Sequence, residues 1–267
     1  NKRGFDATGW WARSGILGLL KPHGGSPIFP PGGVGDHASA MTLFGAIMMS
    51  LYQREKIGEG RYVSTSLLAN GCWANGMSLQ GAIAGFDLGG ILDKKGYRSP
   101  FSMVYKTRDE CFIIFVLTNP AKEWPQVASC LGHPEWVEDE RFGDIAAIMK
   151  QRDLVRGMFA EVIRTKNLAD LCLSLDEQNL TYSAIEKISD VVQDAHLVEN
   201  EIIIKTDSSN PDYQWTVANP IVVHGEDKKA PSDPPNVGEH SREILAEVGF
   251  EESDIEKLLA SGVVISR

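Results

Sequence analysis

The sequence predicts an α/β protein in which a small α+β body is set between helix-rich segments, and three observations carry that prediction. Two β-rich runs, 101–107 and 111–117, flank the polar turn Arg108-Asp109-Glu110, as in a hairpin. Apolar residues then recur at i, i+3 and i+4 over 121–131, 146–165 and 168–178, the spacing of helices with one buried face. Ahead of the hairpin, residues 85–96 hold four glycines and turn from apolar to charged, which marks a boundary.

The other elements follow in chain order. Residues 4–35 carry nine glycines around the apolar words Trp10-Trp11-Ala12 and Ile16-Leu17-Gly18-Leu19-Leu20, which predicts one short helix. A long loop over 21–34, held by Pro22, Pro27, Pro30 and Pro31, comes next. Loops of that length in a compact domain are usually functional or mobile. Met41, Phe44, Gly45, Met48, Leu51 and Tyr52 then stand at helical spacing, closed by Lys56 and Gly58, with Asp36 at or near the N-cap and Met41 and Met48 as core. A strand is predicted over 61–66 and a glycine-containing helix over 67–84. Beyond the α+β body come a helix over 190–198, strands over 201–206 and 214–217, and an extended linker over 228–236. Two helices, 238–248 and 251–260, close the chain, with Glu239, Glu251 and Glu252 in first turns where negative charge suits the helix dipole.

Charge and composition exclude several classes of function. Lys and Arg total 26 against 36 Asp and Glu, a net charge of −10, which argues against a nucleic-acid or anionic-membrane binder. The uncharged stretch 37–53 is broken by polar residues and does not read as a membrane span. Cys72, Cys111, Cys130 and Cys172 are widely spaced, so the expectation is reduced thiols in the cytoplasm and no structural metal. No spacing rule makes His23, Asp36 and His37 a metal site. The chain opens at Asn1 without an initiator Met, as the continuation of a longer protein would.

The run Pro30-Pro31-Gly32-Gly33-Val34-Gly35-Asp36-His37 joins closely spaced glycines, a helix start and a carboxylate. Such glycines let several N–H groups converge, as in a phosphate cradle or an oxyanion hole. No Gly-Lys-Ser/Thr follows, and a capping carboxylate would compete with phosphate for the same amides, so a P-loop is excluded. The pattern favours an ionised Asp36 attacking an acyl group, with Gly32, Gly33, Gly35 and His37 as the oxyanion and substrate loop. The plainer alternatives are a structural N-cap for Asp36, a first-turn residue for His37 and a cap for Asp6. Trp10 and Trp11, with Phe5, read either as acyl-pocket walls or, more simply, as core.

The residues from Gly4 to Leu68 resemble the class III coenzyme A transferases, the formyl-CoA and carnitine-CoA transferase group. The matching words are Gly4-Phe5-Asp6-Ala7-Thr8, Ala12-Arg13-Ser14-Gly15, Gly35-Asp36-His37, and Arg54-Glu55-Lys56-Ile57-Gly58-Glu59-Gly60 with Val63-Ser64-Thr65-Ser66-Leu67-Leu68. Further matches are Leu131-Gly132-His133-Pro134-Glu135-Trp136 and Val237-Gly238-Glu239-His240-Ser241-Arg242. The resemblance implies Asp36 as nucleophile, forming an aspartyl anhydride and then an aspartyl-CoA thioester, with Asp6 helping to hold the site. It implies coenzyme A and acyl-CoA as substrates, no permanently bound cofactor, an acyl-CoA donor and a carboxylic acid acceptor.

It also implies an architecture: residues 1–66 as the C-terminal part of a large Rossmann-like domain, 67–90 as a helical linker, 91–190 as a small α+β domain, and 191–267 as a return segment packing on the large domain. The complete protein would be an interlocked homodimer with a longer N-terminal region carrying much of the CoA nucleotide site. Where some members have a glycine-rich active-site loop, this chain has Lys94, Lys95 and Arg98, candidates for CoA phosphate contacts. The same fold hosts α-methylacyl-CoA racemases, but their catalytic His falls on Phe5, which moves no proton, so racemisation ranks below transfer. A chain serving only assembly or acyl-CoA binding is the third reading.

Overall fold

The computed structural model describes residues 3–22, 24–87 and 99–266 of the 267-residue chain. It has a mixed α/β fold in two compact units, Asn1–Ile185 and Glu186–Arg267.

The first unit opens with a π-helical turn, Asp6–Ala12, and the short α1, Ile16–Leu19. The loop then runs to Gly33, whose φ of 83° sets the left-handed turn that starts α2, Val34–Ile57. Gly58, at φ 74°, closes that helix by donating its N–H to the Arg54 carbonyl, as its place after Lys56 predicts. Met41 and Met48, expected in the core, are instead each 41% exposed. The buried positions of α2 are the small residues Gly35 and Ser39, and a Cβ added to Gly35 would run into the Trp10 side chain. A face defined by close approach leaves no large apolar residues for periodicity to find. Trp10 and Trp11 are buried and meet edge to face at 4.8 Å.

Residues 61–66 form no strand. Thr65 and Ser66 instead receive the Asn70 side-chain amide, at 2.7 Å on the Thr65 hydroxyl and 2.9 Å on the Ser66 carbonyl. The Ser66 hydroxyl accepts from the Ala69 N–H and caps α3, Leu67–Ala74. The helix expected over 67–84 is two helices, because the chain breaks at Asn75 before α4, Gly76–Ile83. The Asn75 amide donates to the Ser14 carbonyl at 3.0 Å, a tertiary bond invisible to local propensity.

The hairpin forms as predicted. Strand β1, Val104–Lys106, pairs antiparallel with β2, Phe112–Phe115, matching Tyr105 with Ile113. A third strand, β3, Tyr182–Ala184, adds to the far side of β2 and was not anticipated, since three mixed residues carry no alternation to detect. The packed helices are α5, Pro120–Leu131, α6, Ile145–Lys150, α7, Arg152–Ile163, and α8, Leu168–Glu177. The single helix expected over 146–165 is interrupted at Gln151, where α6 ends and α7 begins. The core here is aromatic: Phe159 is fully buried among Phe101, Tyr105, Trp124 and Trp136, with ring centroids 5.9–6.1 Å away.

The hairpin turn is tied to the start of α8. The Asp109 carboxylate accepts from the Thr107 hydroxyl at 2.6 Å and from the Leu168 N–H at 3.2 Å. The Thr107 bond first, then the Leu168 bond and the charge of Arg108, hold the Asp109 pKa below its ordinary 3.8. A depressed carboxylate pKa adds stability above the unfolded-state value, and that contribution is lost as pH falls through the folded-state value. Urea midpoints of wild type and Asp109→Asn are therefore expected to differ at pH 6 and to converge below about pH 4. A gap that persists unchanged at low pH would show that the carboxylate's charge is not what ties this turn.

In the second unit, the helix expected over 190–198 is two short ones, α9, Ile188–Val191, and α10, Ala195–Glu199. Strands β4, Ile203–Lys205, and β5, Trp215–Val217, form within the predicted runs and pair antiparallel with each other, and 228–236 has no regular structure. Helices α11, Ser241–Glu247, and α12, Glu252–Ala260, are joined by Arg242, whose guanidinium meets Glu252 and, at 2.6 Å, Glu256. Among the described residues, no helix is long and apolar enough to cross a membrane.

Candidate active site

The site is built where the π-helical turn meets the N-terminus of α2. An α-helix leaves its first amides without intrahelical acceptors and carries partial positive charge there. Asp6, 8% exposed, fills that position from outside the helix. Its Oδ2 accepts from the Gly33 N–H at 2.7 Å and its Oδ1 from the Gly35 N–H at 2.9 Å, one amide to each oxygen. Bonds from amides to an ionised carboxylate are short and strong, so Asp6 fixes the first turn of α2 against the π-helical turn.

Asp36 follows directly on this clamp. It is not the N-cap: that place belongs to Gly33, and Asp36 is the third residue of α2. The amides it would otherwise capture at Gly33 and Gly35 are already taken by Asp6. Its side chain is exposed and has no hydrogen bond or ion pair among the described residues. It lines a cavity of about 310 Å³ whose walls include Phe5, Phe29, Pro31 and Leu67, together with Asp6 and Gly32. An unpaired carboxylate facing a largely apolar hollow is placed to attack an electrophilic carbon held there.

The structure therefore brings Asp6, Gly32 and Asp36 to one cavity. The sequence expectation put the Gly33 and Gly35 amides around Asp36 as oxyanion donors, whereas here both donate to Asp6. His37 is exposed, and its N–H bonds the Gly33 carbonyl at 2.9 Å. Lys94, Lys95 and Arg98 lie outside the described residues, as does His23. Phe29 and Leu67 escaped sequence reasoning, since nothing local singles one apolar loop residue out from its neighbours.

Asp6→Asn tests the clamp. The variant keeps the side-chain shape but turns one acceptor oxygen into an NH2 facing an amide N–H. A buried donor left without a partner costs about 1–3 kcal/mol, so the urea midpoint should fall accordingly. An unchanged midpoint would mean that the two amides find other acceptors.

Taken together, the elements define a mixed α/β protein with a carboxylate held free at the first turn of a long helix, an arrangement suited to capturing acyl groups. The chain belongs to CoA-transferase family III, which matches over residues 1–241, as its motifs predict. It is similar to (R)-2-hydroxy-4-methylpentanoate CoA-transferase of Clostridioides difficile, 26% identical over 99% of this chain and 66% of that protein. It is also similar to succinyl-CoA:glutarate CoA-transferase of Mus musculus, 27% identical over 99% of this chain and 60% of that protein. The chain thus spans between 60 and 66% of the length of these two relatives. Among solved structures, a CAIB/BAIF family protein from Brucella suis shares the fold, with a TM-score of 0.74 at 20% identity over 92% of this chain and 63% of that one.

Proposed function

We propose that this protein transfers coenzyme A from an acyl-CoA to a carboxylic acid, with Asp36 as the covalent carrier. The observation that carries this reading is the division of labour between two carboxylates: Asp6 occupies the helix amides, and Asp36 is left unpaired in the adjoining cavity. A carboxylate tied up in capping would be a weak nucleophile, because its lone pairs are engaged.

The chemistry balances without a cofactor or a net proton. An Asp36 oxygen attacks the thioester carbon, and collapse of the tetrahedral oxyanion expels CoA thiolate, leaving an acyl-aspartyl anhydride. The thiolate attacks the aspartyl carbonyl and releases the donor acid, giving an aspartyl-CoA thioester. The acceptor carboxylate attacks that thioester and again expels the thiolate. The thiolate then attacks the acceptor's carbonyl, forming the new acyl-CoA and restoring Asp36. With Gly33 and Gly35 engaged by Asp6, Gly32, which lines the cavity, is the candidate for stabilising each oxyanion.

The domain arrangement we infer is the one given by the family resemblance: 1–66 in a Rossmann-like large domain, 67–90 as linker, 91–190 as small domain, 191–267 returning to the large domain, in a cytoplasmic homodimer. Bare apolar surface supports an assembly. Trp73, Met77 and Ile83 are exposed by 86, 93 and 78%. Cys72, Cys111, Cys130 and Cys172 form no disulfide, which fits a reducing compartment.

Hydroxylamine trapping during incubation with acyl-CoA tests the carrier. The expected result is inactivation with a hydroxamate on the peptide containing Asp36. Turnover that survives hydroxylamine without modification there would overturn the assignment. Solvent deuterium appearing at the acyl α-carbon would point to the racemase chemistry instead.

A further inference from the structure

A second cavity, of about 650 Å³, shares Gly4 and Leu67 with the cavity that holds Asp36. Arg3 and Arg13 line it, with Thr8 and Ser66. Both arginines are exposed, and neither side chain has an ion pair or hydrogen bond among the described residues, in a chain whose net charge is −10. Arg141, Arg156 and Arg242, by contrast, are each held by a carboxylate. The reaction assigned to Asp36 leaves both Arg3 and Arg13 without a task. The same wall contains the first turn of α3, whose Leu67 and Leu68 amides have by position no acceptor within their helix.

We propose that this cavity binds the distal carboxylate of a dicarboxylic acyl group, gripped by Arg13 and Arg3, while the other end of that group reacts at Asp36. The inference rests on the transfer reading above and names its substrate class. A guanidinium presents parallel N–H donors that match a carboxylate, so two unpaired ones make a poor lining for an apolar acyl tail, which would strip water from them without replacing it. A CoA phosphate offers the same anionic chemistry, but the pantetheine arm sets it many bonds away from the thioester. Two cavities with common walls instead suit the short reach between the ends of a small diacid.

The test uses the full chain, one acyl-CoA donor and two acceptors of equal length, glutarate and pentanoate. Glutarate is expected to be the better acceptor by about tenfold or more in kcat/KM, the scale of a charge-assisted hydrogen bond. Arg13→Met should raise the glutarate KM by a similar factor, leave the pentanoate and donor KM values unchanged, and be partly rescued by Arg13→Lys. Its thermal unfolding should match wild type, because the side chain is exposed and unpaired. Equal use of the two acids overturns the proposal. So does an Arg13→Met effect on the donor KM that is the same for both acceptors, which would assign the cations to a CoA phosphate. Calorimetric titration of both acids into the Asp36→Asn chain separates this inference from the transfer reading. A glutarate preference abolished by Arg13→Met supports the subsite even where no hydroxamate forms, and no preference sinks it even where transfer is intact.

Discussion

Asp36→Asn is expected to lower CoA transfer by about four orders of magnitude or more, the scale seen when a covalent nucleophile is removed. A carboxamide oxygen carries no negative charge, so the anhydride and the thioester that follow from it do not form. The effect should be confined to kcat, because the exposed side chain makes no hydrogen bond or ion pair whose loss would unfold the protein. Surface changes of this kind usually alter stability by no more than about 0.5 kcal/mol. Initial rates and a melting curve on the same preparation check both halves. Wild-type turnover in the variant would remove Asp36 from the reaction, and a collapsed melting temperature would make it structural.

Gly35→Ala is expected to damage stability and activity together. A Cβ at this position falls 2.6 Å from the Trp10 Cβ, and closer still to Trp10 Cγ and Asp6 Oδ1. Either the buried Trp10 ring moves or Asp6 gives up an amide. Overpacking of this kind costs about 1–3 kcal/mol, and a lost bond to a charged group about 1.5–3 kcal/mol. Destabilisation of about 1–3 kcal/mol is therefore expected in urea, accompanied by loss of transfer as the residue next to Asp36 shifts. Gly45→Ala on the same helix is the control, because its Cβ would meet nothing within 4 Å. That substitution should stabilise by about 0.5–1 kcal/mol through helix propensity alone. If the two variants behaved alike, close packing at Gly35 would not be what seats α2.

These contrasts show where sequence reasoning reached and where it stopped. The hairpin was legible because its turn and both β-rich runs lie within a span of seventeen residues, 101–117. The C-terminus of α2 was legible because Lys56 and Gly58 act on its last carbonyls locally. Strand β3 was not, since its partner β2 lies some seventy residues earlier and supplies the hydrogen bonds that define it. The break at Asn75 depends on Ser14, and the burial of Ser39 on its place beside Gly35, where α2 packs on Trp10. Neither partner is a sequence neighbour.

The candidate site divides along the same line. Turn chemistry and helical periodicity act over a few residues, so the chain's own order of glycines and apolar side chains decides that α2 starts near Gly33 and that a carboxylate rides in its first turn. Which of two carboxylates receives the helix amides is a different kind of question. Asp6 takes them, and Asp36 stays bare, through bonds between residues 27 and 29 positions apart that exist only once the loop has folded back over the π-helical turn.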